Sequence, residues 1–328
     1  ALRARLAQEG FPSDPPAGQA DRFEQTLFMA LGHFQRVHQI AVAPRVGRDT
    51  RAALRMGAQR KLAAIHRALH DWRATAPRDP AGLYVQINVA DFHGEVWRAG
   101  ARLHRFRVIV GDDTPAEDGR VPNATPEIHS QIHQVVFNPD WRVPQRILED
   151  EILPRAVEQQ GYQGLDELLA ARGFEVVHRG TAAEHVRQRP GRGNPLGQVK
   201  FRFPNPYAIY LHDTPRRGLF QRPRRALSHG CVRVERPLHL ARLLLEHDNR
   251  YDPQAVREWL SGEEPHTVTL TRPVPIHIDD IGVRVDDAGR AHFLADLYGR
   301  RAHGLSLGSA PPSPPAPGPT AAPTVDPR

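Results

Sequence analysis

Apolar residues recur at helical spacing from Asp21 to about Trp72, first as Phe23, Leu27, Met29, Ala30 and Phe34, then as Ala52, Leu54, Leu62, Ile65 and Leu69. Positions three and four apart share one helix face, so the pattern predicts a small all-α domain over residues 1–76. Pro77 and Pro80 end it, and after Gly82 the period falls to two, with Val85, Ile87 and Val89 alternating with Gln86 and Asn88. A turn at Asp91-Phe92-His93-Gly94 leads to Val96-Trp97, and Arg105 to Gly111 supplies a further strand. A mainly β domain is therefore predicted over residues 82–305. Between about 147 and 188 the pattern turns helical again around Leu165, Leu168 and Leu169, which reads as an insertion or lid. Strand-like sequence resumes from Val199 to His212, Leu238 to Leu245 forms an amphipathic helix, and a final strand pair is predicted at Val268–Leu270 and Ile276–Ile278. Residues 306–328 are rich in Pro and Ala with almost no large apolar side chain, the composition of a disordered tail.

A chain of 328 residues with 40% hydrophobic content can build one sizeable domain and a small accessory one. Its formal charge of +7 points to an anionic partner or milieu. Finger-type Cys/His spacing, basic heptad helices and aromatic ribonucleoprotein patterns are missing from it, so nucleic acid is not the expected partner. The single cysteine excludes an intramolecular disulfide. No apolar run reaches the roughly 18 residues of a membrane span, and Ala1 to Arg5 lacks the apolar core of a signal peptide. Either the protein is cytosolic or the chain is a mature or truncated form, and a start without Met in helix-like sequence favours truncation.

The segment Tyr210-Leu211-His212-Asp213 is followed, after a basic loop, by Ser228-His229-Gly230-Cys231-Val232-Arg233. A lone cysteine is most often an inert buried hydrophobe. Histidine next to Gly-Cys, with a second histidine one strand away, favours a nucleophile instead, because imidazole and positive charge lower a thiol's pKa. His212 is the candidate base and Cys231 the nucleophile. Gly230 permits a tight turn, and the amides from His229 through Cys231 could meet an oxyanion, with the Tyr210 hydroxyl as an extra donor. His229 either transfers protons or orders the turn, and Arg233 either binds a substrate carboxylate or holds the loop. The run Arg216, Arg217, Arg222, Arg224 and Arg225 reads as a solvated face. His66 with His70, and His129 with His133, lack a third ligand nearby and read as surface residues, so neither a metal nor a cofactor is expected.

With these motifs the chain resembles the L,D-transpeptidases of the YkuD family, in which a histidine is followed by Ser/Thr-His-Gly-Cys; fifteen residues separate His212 from Ser228 here. The segments 136–144, 189–197 and 200–206 resemble the large YcbB-type branch, and Phe34-Gln35-Arg36-Val37-His38 with Gly47-Arg48-Asp49-Thr50 resembles a peptidoglycan-binding domain, although Pro44-Arg45-Val46 stands where that domain usually has Asp-Gly. The resemblance implies a YkuD-type β-sandwich with an inserted helical capping subdomain. It implies that Cys231 attacks a tetrapeptide stem, releases D-alanine and leaves a thioester, which the amine of a second stem resolves into a 3→3 cross-link. It also implies acylation of Cys231 by carbapenems, orientation of His212 by the Asp213 carbonyl, a periplasmic location, and a membrane anchor in sequence preceding Ala1. Rival readings are an L,D-carboxypeptidase of the same fold and a catalytically silent wall-binding protein. A papain-like protease fits less well, since its cysteine precedes its histidine.

Overall fold

The computed structural model describes residues 1–74, 81–154, 158 and 165–301. Four helices open the chain: α1 (Leu2–Gln8), α2 (Gln25–Val37), α3 (Arg48–Leu54) and α4 (Ala58–Ala74). The Glu24 carboxylate caps α2 by accepting from Thr26 N and Leu27 N. The buried stripe of α2 is Leu27, Ala30, Leu31 and Phe34, which meets Leu6 of α1. The predicted inward positions Phe23, Met29, Leu62 and Leu69 are exposed instead. Phe23 lies before the helix starts, Met29 falls off its buried stripe, and α4 buries only Ala68.

The β domain is built on β1 (Leu83–Asn88), β2 (His93–Arg98), β3 (Ala101–Gly111), β4 (Ile128–Phe137), β5 (Trp141–Arg142), β6 (Phe174–Val177), β7 (His185–Gln188), β8 (Val199–Arg202), β9 (Leu211–His212), β10 (Ala226–Ser228), β11 (Val232–Val234) and β12 (His266–Asp279). Nine of these form one sheet in the order β10-β3-β11-β9-β8-β4-β12-β1-β2. Strand β3 pairs with β2 along its first part and with β11 near its end, so the sheet closes on itself around one apolar core, as in a β-sandwich. A helix, Pro237–His247 (α5), packs Leu240, Ala241, Leu244 and Leu245 into that core. A second, Pro253–Ser261 (α6), is capped by Asp252, and a hairpin of Val283–Val285 (β13) and Ala291–Phe293 (β14) follows β12. Among the described residues no helix is long and apolar enough to cross a membrane.

Three predicted elements differ. The expected final strand pair is one strand, β12, whose pairing with β4 shifts between Thr269 and Val274. Thr271-Arg272-Pro273 reads as a break but forms a bulge, held by Asp248, which accepts from Thr271 N, Thr271 Oγ1 and Arg272 N at 3.0, 2.7 and 2.8 Å. The strand expected from Val199 to His212 is interrupted between β8 and β9, where the Asn205 amide side chain donates to the carbonyls of Phe203 and Ile209. The 147–188 segment is only partly helical. A short helix and π-helical turn over Gln145–Ile152 and a helix at Leu165–Ala171 are followed by β6 and β7, which join β5 in a three-stranded antiparallel sheet around Val143, Leu148, Leu169, Phe174 and Val186. Val176 and Val186 pair across that hairpin, and its turn takes positive φ at His178 and Gly180. Part of the predicted lid and the whole 306–328 tail lie outside the described residues.

Candidate active site

Strand alternation builds the site. β11 runs parallel to β9 with Val232 opposite Leu211 and Arg233 opposite His212, and β8 pairs with β9 so that Lys200 stands opposite His212. Leu211 and Val232 are fully buried in the core, each contributing about 1.5–3 kcal/mol of apolar burial. Their neighbours Tyr210, His212, Cys231 and Arg233 therefore face the other way, and all four line one cavity of about 1090 Å³. Ser228 and His229 line it too. The inserted segment contributes Arg146, Glu151 and Phe174 to the opposite wall.

His212 is 5% exposed, and its Nδ1 lies 2.6 Å from the Asp213 carbonyl oxygen. A carbonyl only accepts, so Nδ1 carries the proton and Nε2 of the neutral ring keeps its lone pair. Burial, then the charge of Arg233, holds His212 down to about 3, against the opposing pull of the Asp213 carbonyl. Burial also pushes the half-buried Cys231 thiol up, although Tyr210, Lys200 and Arg233 favour its thiolate. Desolvation thus opposes the thiolate that the neighbouring cations favour. The Cys231 Sγ is turned toward the Ala208 carbonyl at 4.0 Å and toward Tyr210, and no hydrogen bond joins it to His212.

Tyr210 is braced on two sides. Lys200 Nζ lies 4.0 Å from its ring centroid, and the Trp141 indole hydrogen-bonds to its hydroxyl. Indole N–H only donates, so the Tyr210 proton stays free to point at the sulfur or at an oxyanion beside it. Burial, followed by Cys231 itself, keeps this phenol well above its ordinary value, hence protonated.

The turn before Cys231 is tied internally. Ser228 Oγ donates to the Cys231 carbonyl at 2.6 Å and accepts from Gly230 N at 3.2 Å. The Ser228 hydroxyl, by its place in the motif a candidate substrate or oxyanion contact, is thus spent on the turn, and the Gly230 amide, expected to meet an oxyanion, is not available to one. The amides of His229 and Cys231 make no hydrogen bond within the described residues. Gly230 has φ +113, where a Cβ would also press on Ile209 at 3.2 Å. Thr125, fully buried, accepts from Gly111 N and donates to the Gly230 carbonyl, both at 2.8 Å, and so fastens the turn to β3.

Asp213 does not line the cavity. Its carboxylate accepts from Gln198 N at 3.0 Å and sits where a side chain at Gly197 would be, which holds the 194–198 loop; only its carbonyl serves His212. Arg233 and Arg216 both face the cavity, and neither forms an ion pair among the described residues. Two guanidinium groups without acids make a receptor for carboxylate. The arginine run is therefore not simply a solvated face. Arg216 and Arg222 line the cavity, Arg224 pairs with Asp113, and buried Arg225 donates to the carbonyls of Val108, Phe92 and Arg222. His129 Nε2 meets Asp279 at 2.8 Å on β4, and no group of three or more His, Cys, Asp or Glu among the described residues is placed to hold a metal. Sequence reasoning passed over Lys200, Trp141, Thr125 and Glu151 as site residues. Only Lys200, one strand position before Phe201, had a local signal.

The profile of the YkuD L,D-transpeptidase catalytic domain matches residues 82–275. A provisionally assigned L,D-transpeptidase of Haemophilus influenzae is 36% identical over 224 residues, which cover 65% of this chain and 43% of that protein. The chain thus spans less than half the length of this relative. Solved structures similar to it include an L,D-transpeptidase from Xylanimonas cellulosilytica, with a TM-score of 0.29 and 14% identity over 84% of this chain and 90% of that one. Another, from Stackebrandtia nassauensis, has a TM-score of 0.29 and 13% identity over 85% and 90%. Resting on the profile match across the closed sheet and both halves of the site, the chain belongs to the YkuD family of L,D-transpeptidase catalytic domains.

Proposed function

We propose that this protein is a cysteine-dependent L,D-transpeptidase of the cell envelope, acting in the periplasm on peptidoglycan stem peptides. The observation that carries the reading is the parallel pairing of β9 with β11, which turns His212, Tyr210, Cys231 and Arg233 toward one cavity. The free carboxylate of a tetrapeptide stem sits on Arg233 and Arg216. As the Cys231 sulfur attacks the carbonyl before the terminal D-alanine, its proton passes to His212 Nε2. The oxyanion takes the Tyr210 hydroxyl and the amides of Cys231 and His229. His212 then protonates the departing D-alanine amine, and a thioester remains on Cys231. The amine of a second stem attacks that thioester and gives a 3→3 cross-link. The same thiol and oxyanion donors support acylation by a carbapenem.

Incubation with a purified disaccharide tetrapeptide, followed by mass spectrometry, tests this. A dimer with the mass of one tripeptide plus one tetrapeptide less one water, formed with release of one D-alanine, supports transfer. A tripeptide alone assigns the L,D-carboxypeptidase activity instead, and recovery of intact tetrapeptide contradicts both.

A further inference from the structure

The cavity wall is strongly one-sided in charge. Five arginines line it, Arg146, Arg172, Arg216, Arg222 and Arg233, while the single carboxylate among its described lining residues is Glu151. That carboxylate is not remote from the chemistry. Glu151 Oε1 lies 2.6 Å from His229 Nε2, two residues before the nucleophile, and it comes from the π-helical turn of the inserted segment. A carboxylate only accepts, so in the neutral ring Nε2 carries the proton and Nδ1 keeps its lone pair. Both side chains are partly open to solvent, with relative exposures of 43% for His229 and 37% for Glu151.

A transpeptidase must bring two groups of opposite charge to one thioester, the carboxylate end of the donor stem and the side-chain ammonium of the acceptor stem. The donor presents carboxylates, which the arginines suit. The acceptor is an ammonium at neutral pH, which the arginines repel and which cannot attack until it has lost a proton. His212 is poorly suited to both tasks, being buried beside Arg233.

We propose that Glu151 and His229 form the acceptor half of the site, Glu151 drawing the ammonium of the second stem into the arginine-lined cavity and His229 Nδ1 taking its first proton. The neutral amine then attacks the thioester carbonyl, its C–N bond forming as the C–S bond breaks. The second amine proton passes through His212 to the Cys231 sulfur, and His229 returns the first to solvent. The products are an amide, a free thiol and one proton. The inference rests on the transpeptidase reading above and adds which residues separate transfer from hydrolysis.

The test is the ratio of cross-linked dimer to hydrolysed tripeptide formed from the disaccharide tetrapeptide, compared between the parent protein, Glu151→Gln and Glu151→Asp, with carbapenem acylation of each recorded by intact mass. The inference predicts that Glu151→Gln lowers the ratio about tenfold or more, and that Glu151→Asp recovers part of it. A loss of packing alone would slow both products together and leave the ratio where it was, as would a Glu151 that only latches the insertion. An unchanged ratio with normal acylation overturns this inference and leaves the transpeptidase reading standing. A parent protein that neither acylates nor turns over tetrapeptide overturns both.

Discussion

Strand β9 with His212, the start of β11 with Cys231 just before it, and the inserted segment that carries Glu151 face the same cavity, but different forces hold them. On the floor, Leu211 and Val232 are sealed in the core of a closed sheet, and their alternation fixes where the reactive side chains point. On the wall, Arg146 and Glu151 project from a short π-helical turn and its preceding helix, packed on a small cluster around Val143, Leu148 and Phe174 and joined to the floor by the exposed His229–Glu151 pair. Such a pair is worth roughly 0–1 kcal/mol. On the proposed reading, the groups that keep their geometry through bond making stand on rigid elements, and those that receive the second stem stand on the less deeply packed wall.

The contrast can be broken in several places. The largest expected effect is on chemistry at the floor: His212→Gln, which keeps a hydrogen-bonding side chain but removes the base, should slow carbapenem acylation of Cys231 about 10²–10⁴-fold in stopped-flow absorbance. A rate within a few fold of the parent would remove His212 from the mechanism. Next in size is stability. Leu211→Ala should cost about 2–5 kcal/mol in urea unfolding, whereas Ile152→Ala on the half-buried edge of the insertion should cost about 1–2 kcal/mol, since less apolar surface is lost there. Equal losses would mean that the wall is as firmly packed as the floor. A smaller change is expected from Thr125→Val, which leaves Gly111 N and the Gly230 carbonyl unpaired in the interior; about 1–3 kcal/mol should be lost, together with a slower acylation because the turn before Cys231 loosens.

The smallest effect is a titration. Burial raises the thiol and holds His212 down to about 3, so alkylation of Cys231 by iodoacetamide should climb with pH and reach its midpoint above the ordinary thiol value. Lys200→Met should move that midpoint further up, because a cation favouring the thiolate is gone. A rate already flat from pH 6 upward would instead reveal a resting thiolate–imidazolium pair.

Local pattern carried the strands well. The alternation of Val85, Ile87 and Val89 specifies β1, and the same period of two turns Tyr210, His212, Cys231 and Arg233 to one face once β9 and β11 are neighbours. The misreadings arise where a remote partner overrides a local signal. Thr271-Arg272-Pro273 becomes a bulge because Asp248, 23 residues away, accepts from Thr271. The Gly230 carbonyl finds Thr125 across 105 residues, and nothing near either position marks the pairing. The leucines of the insertion predict helix, but Phe174-Glu175-Val176-Val177 and His185-Val186-Arg187 carry a strand period and pair as β6 and β7. For the electrostatics, sequence supplies the cations around Cys231 and not the depth of burial, and burial decides the sign.

The proposed chemistry stands or falls with Cys231 as the nucleophile of this cavity. The most direct measurement is the intact mass of the protein, beside Cys231→Ala, after incubation with a carbapenem. A single adduct on the parent and none on the variant is the predicted result; an adduct on both, or on neither while both are folded by circular dichroism, would contradict it.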